Sequence, residues 1–200
     1  MSSNPLLASR LSALPRPLQR HISRYVGLGA VIRADGALTI GPAPWIAPEA
    51  VLFLVAGPAD QELLATASQT LLLAIPDPFV EFLRATNGCF AYDLWLGTVP
   101  RTALLDRAVL QPPRLDLANR DWRHEYAGVP PRSVHVGGRA WNPDENIGYF
   151  MTPDGVVEAR RKAGEVLGSW PNLDTTLEEE LAAAEVIARR GAPPGALGAA

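Results

Sequence analysis

A helix that is forced to stop constrains this chain more than anything else in its sequence. In PDPFVEFLRATNGCF, residues 76–90, Phe79, Phe82, Leu83 and Thr86 fall on one face at helical spacing. Asp77 is placed to cap the free N–H groups, and Pro78 suits the first helical position, whose N–H needs no partner. Gly88 then offers the left-handed backbone that closes a helix, with turn-prone Asn87 before it. The next segment, CFAYDLWLGTV, is aromatic and branched and reads as strand. The pattern is helix, enforced corner, strand, and its first role is architectural.

Elements of the same kind lie on either side. GAVIRADGALTI (29–40) puts apolar runs around Asp35-Gly36, a tight hairpin turn, and AVLFLVAG (50–57) reads as a buried strand. A helix is predicted over about 59–72, with Pro58 in its first turn and Leu63, Leu64, Ala67, Thr70 and Leu71 near one stripe. Leu104 and Leu105 suit a helical turn, and Leu115, Ala118, Trp122 and Tyr126 form a helical face within 114–128. SVHVGG, NIGYFMT and GVVEAR read as strands, the last two joined across the hairpin turn PDG. Thr175 and Glu178 match a capping box for a last helix that packs Leu177, Leu181, Ala184 and Ile187 and ends at Gly191.

The fold class is therefore α+β, an antiparallel sheet of about four to six strands packed with flanking helices. Residues 1–47 read as a loosely docked arm with a β-hairpin. Within it Leu7, Leu11, Leu14, Leu18 and Ile22 recur at helical spacing, but Pro15 and Pro17 interrupt. Residues 48–190 form the main domain, and 191–200, GAPPGALGAA, a flexible tail.

Charge is uneven. Residues 1–47 carry five arginines and one aspartate, a balance of +4, whereas 48–200 carry a balance of −7. An acidic body disfavours nucleic acid as its ligand and steers in a basic partner, or simply keeps the protein in solution. No apolar run approaches the 18 residues of a membrane span. A single cysteine, Cys89, rules out a disulfide framework, and no secretory signal opens the chain, so the cytoplasm is the expected compartment.

Reactive chemistry finds little support. With only His21, His124, His135 and Cys89 and no ligand-spaced motif, neither a metal nor another cofactor is expected. Cys89 comes just after the helix-ending glycine, on the wrong side of the helix for the dipole to activate it, and reads as a buried structural thiol. No G-x-S-x-G occurs, and VLFLVAGPADQELL lacks the glycines of a dinucleotide fingerprint. Asp144 and Glu145 cluster in NPDENIG beside Trp141, an aromatic ringed by charge that suits either a protein-binding hot spot or the core. Asp93 and Asp154 are further candidate contacts. Against this stands a small hydrolase or ligand-binding enzyme using His124 and His135 with an acidic neighbour.

Ile75-Pro76, Phe79, Phe82-Leu83 and Asn87-Gly88, with Gly148, Tyr149, Phe150 and the turn at Asp154-Gly155 further on, resemble the SMI1/KNR4 (SUKH) superfamily over roughly residues 58–190. Where that family closes on a Ser-Phe motif, this chain has LDTTLEEEL. The resemblance implies a non-enzymatic α+β domain. It further implies a protein partner, either a polymorphic toxin that an immunity protein neutralises or the partner of a regulatory scaffold.

Overall fold

The computed structural model describes residues 4–71, 73–97, 115–139 and 147–197. The helical turn expected at Leu104 and Leu105 lies outside them. The strands are β1 (Ala30–Ile32), β2 (Leu38–Pro42), β3 (Val51–Val55), β4 (Cys89–Ala91), β5 (Leu94–Leu96), β6 (Val134–Arg139), β7 (Ile147–Met151), β8 (Val157–Arg161) and β9 (Val166–Trp170). They form one sheet in sequence order, and every neighbouring pair is antiparallel. The helices are α1 (Pro5–Ser12), α2 (Arg16–Ser23), α3 (Gln61–Leu71), α4 (Asp77–Ala85), α5 (Leu115–Glu125) and α6 (Leu173–Gly191). The α+β class holds, but nine strands among the described residues replace the four to six expected. The surplus comes from the β1–β2 hairpin, from β9, for which no strand is predicted, and from CFAYDLWLGTV, which reads as one strand but folds back at Tyr92-Asp93 into β4 and β5.

The forced stop is real and differs in detail. Asp77 opens α4 as its first residue, after Pro76, and no side chain caps the helix. The helix ends when Thr86 turns extended (φ −154°), and Gly88 takes φ +89° one corner later. The corner is stitched to the end of β3. The Thr86 hydroxyl donates to Ala56 O at 3.0 Å, Asn87 N to Gly57 O at 2.9 Å, and Ala56 N to Gly88 O at 3.0 Å. Thus the stop delivers Cys89 into register opposite Val55. Cys89 is buried, and burial pushes its thiol up to about 12, so it is a structural residue.

The first 47 residues are not loosely docked. Pro15 and Pro17 do interrupt the helical repeat, which breaks into α1 and α2, and they sit at the start of α2, where a missing N–H is harmless. Leu18 and Ile22 of α2 and the nearby Tyr25 are fully buried, in one core with Phe53, Phe79, Leu83, Met151 and Leu181. Burial of each such side chain contributes roughly 1.5–3 kcal/mol. The β2–β3 ladder, Leu38↔Val55 to Pro42↔Val51, crosses the expected boundary at residue 47. At the other end, Asn172 rather than Thr175 caps α6, its side chain accepting Thr175 N at 2.9 Å, and the helix begins three residues early. Leu197, in the expected flexible tail, is buried in the same core.

Alternation along β7 divides two layers. Tyr149 and Met151 face the main core, while Phe150 packs with Trp122 and Tyr126 of the α5 region in a separate aromatic cluster. Asn119 fastens α5 to β6. It accepts His135 N at 2.8 Å and donates to His135 O at 2.9 Å, and the Trp122 indole donates to it at 3.1 Å.

Candidate functional site

β4 and β5 are joined by a two-residue turn, Tyr92-Asp93, between paired Ala91 and Leu94. Tyr92 holds φ +58°, a left-handed conformation that a bulky side chain adopts only under constraint. Its N–H donates to Leu52 O at 2.8 Å, and its ring meets those of Phe53 and Tyr25, with centroids 4.9 and 6.2 Å away. Pinned in this way, the turn directs Asp93 toward the end of β6.

There Arg139 is buried. Leu94↔Arg139 and Arg139↔Ile147 are successive rungs of the sheet, and the tight approach depends on Gly137 and Gly138. A Cβ at Gly137 would lie 2.4 Å from Trp95 O, and one at Gly138 2.7 Å from Ile147 O. The Arg139 guanidinium donates to Glu180 O at 2.8 Å, lies 3.3 Å from the Glu180 carboxylate and only 3.6 Å from Asp93. Tyr149 donates its phenol to the same Glu180 carboxylate. Burial drives the Tyr149 phenol upward, and the adjacent Glu180 carboxylate adds to this.

Asp93 is the poorly served member. Its oxygens are enclosed, and neither has a hydrogen-bond partner among the described residues. Burial pushes this carboxyl up from the ordinary range, and Arg139 and then the residue's own backbone N–H offset only part of the effect. The group is thus a carboxylate held at the sheet's end with unused acceptor capacity.

Of the residues singled out in the sequence, Trp141, Asp144 and Glu145 lie outside the described residues, as does the His124 side chain. The described strands that flank the first three in sequence end at Arg139 and begin at Ile147, which pair with each other, and Arg139 lies 3.6 Å from Asp93. Asp154 belongs elsewhere. It accepts a hydrogen bond from the Thr152 hydroxyl in the β7–β8 turn, beyond Met151 at the opposite end of the strand. His135 is buried, with Nδ1 3.1 Å from Ala118 O and its ring stacked on Phe150 at 4.7 Å between Trp95 and Tyr126. Burial lowers its pKa to about 4.

Arg139, Tyr149 and Glu180 were not legible as a group, because the sheet register and the path of α6 bring them together. The available signal was an arginine ending the otherwise uncharged strand SVHVGG, where a buried cation must find an anion. The three successive glutamates of α6, Glu178, Glu179 and Glu180, all have partners. Glu178 pairs with Arg20 at 2.6 Å, Glu179 accepts the Trp170 indole at 2.7 Å, and Glu180 serves Arg139.

Among the described residues, no group of three or more His, Cys, Asp and Glu side chains could hold a metal ion. No described helix is long and apolar enough to cross a membrane. Open clefts of about 240 and 370 Å³ flank the start of α6, and neither is lined by Asp93 or His135. The chain matches no protein-family model, no curated protein and no solved structure.

Proposed function

We propose that this chain is a non-enzymatic, protein-binding domain of SUKH type, an immunity protein that acts in the cytoplasm on a basic toxin domain. The observation that carries the reading is the convergence of Asp93 with both roots of the 140–146 segment. In sequence, the segment between β6 and β7 carries Trp141, Asp144 and Glu145, the composition of an aromatic anchor ringed by charge. Asp154, at the far end of the strands, is left out of this surface. The SUKH resemblance supplies the partner class, and the −7 balance of residues 48–200 supplies the complementarity to a cationic face.

Affinity capture from the source cell, with the neighbouring gene's product identified, tests the reading. A toxin-like protein is the expected catch; tight binding of a small metabolite without any protein would end the proposal. Once a partner is in hand, reversing the charges at Asp144 and Glu145 together should weaken binding at least tenfold, about 1.4 kcal/mol, and flatten its salt dependence. Unchanged affinity would remove this end of the sheet from the interface.

A further inference from the structure

The contact between α2 and α6 is organised around one carboxylate. Tyr25 donates its phenol to Glu185 at 2.6 Å, Arg189 donates at 2.8 and 3.0 Å, and Arg24 donates at 2.9 Å. Arg189 also donates to the Tyr25 oxygen at 3.0 Å. Two cations therefore already balance Glu185. Beside them His21 is only 4% exposed, with Nδ1 3.2 Å from the Glu185 carboxylate. A proton on that ring would add a third cation beside Arg24 and Arg189, set against Glu185 and the more exposed Glu178.

We propose that His21 makes the α2–α6 contact a pH-sensitive clasp, closed with a neutral imidazole and loosened when the ring takes a proton. The groups acting on the ring are Glu185 and Glu178 from α6 and Arg24 from its own end of the chain; Arg189, Tyr25 and, beyond it, Tyr92 complete the cluster. Burial and Arg24 oppose protonation and outweigh the two glutamates, so the docked ring titrates below the ordinary histidine value. A released ring binds protons more readily. Docking is consequently complete above about pH 6.5 and weakens as the pH falls toward the docked value, by up to about tenfold per unit.

α2 is the element that yields. It is eight residues long, its outer face carries Arg16 and Arg20, and Arg24 is half-exposed, whereas α6 is anchored along 19 residues. Hydrogen exchange of the full chain at pH 7 and pH 5, with each amide's intrinsic rate factored out, tests this. Protection in α2 should fall about fivefold or more relative to α4, and in His21→Gln by less than about twofold. Equal losses in α2 and α4, an unchanged α2, or an undiminished pH response in His21→Gln would each overturn the proposal. Should that variant not fold, the His21 ring is monitored by NMR in the native chain. A midpoint that coincides with the loss of α2 protection supports the clasp, and one that does not overturns it.

Discussion

Asp93 and Glu185 are two carboxylates whose oxygens are enclosed by the same protein, and they are treated in opposite ways. Glu185 receives a phenol and two guanidinium groups. Burial alone would raise its pKa, but hydrogen bonds from Tyr25 and Arg189, with the charges of Arg189 and Arg24, win and hold it below the ordinary range. Asp93 faces one guanidinium at 3.6 Å that is already committed to Glu180, and its pKa moves up. Tyr92 lies in the aromatic contact with Tyr25 while its chain neighbour Asp93 points at Arg139, so one strained turn touches both systems. A fully served buried anion is a structural rivet. One left short of donors costs stability in its charged form.

Substitutions sharpen or erase this contrast. Glu185→Ala should have the largest effect, about 3 kcal/mol lost in urea unfolding, the lower end for a broken buried pair because Arg24 is half-exposed. Next, Arg139→Met should destabilise by roughly 2 kcal/mol and drive the Asp93 titration further upward in carboxyl NMR; an Asp93 that does not respond would break its link to Arg139. Asp93→Asn should change stability at pH 7 by less than about 1 kcal/mol in either direction, since the charge it removes is poorly paired. The smallest change belongs to Glu178→Gln, whose exposed pairing with Arg20 is worth about 0.5 kcal/mol or less.

The two carboxylates also pull acid titration in opposite senses. The contribution of Glu185 is present above its unfolded pKa, near 4.5, and is lost as pH falls through its lower folded value. The penalty of charged Asp93 is full above its raised folded value and disappears as pH falls below 3.8. Stability measured against pH should therefore drop more steeply on acidification in Asp93→Asn than in the native chain. Identical curves would show that Asp93 is not perturbed by folding.

Local chemistry made much of the fold readable. The Asp35-Gly36 turn closes the β1–β2 hairpin, with the Asp35 carboxylate accepting Ala37 N at 3.0 Å, and Gly155 closes β7–β8 at φ +89°. Positive-φ glycine and short-range capping are written in adjacent residues. The enlistment of β1, β2 and β9 into one sheet was not readable, because ladder partners such as Leu38 and Val55 are chosen by tertiary packing. Thr175 misleads because its spacing to Glu178 fits a capping box, while Asn172 has an equal claim three residues earlier. Asp93 stands out in the sequence for its charge, but its setting depends on Arg139 and Glu180, 46 and 87 positions onward.

A sheet whose strands pair in the order they are made can assemble stepwise as the chain emerges from the ribosome, although the β3–β4 and β5–β6 ladders must wait for the helices between them. The partners of Tyr25 and Arg24 lie about 160 positions downstream. Until α6 has been synthesised, the apolar side of α2 has only part of its eventual cover. Nascent chains halted before residue 173 should accordingly leave α2 open to protease, and release of the last helix should close it.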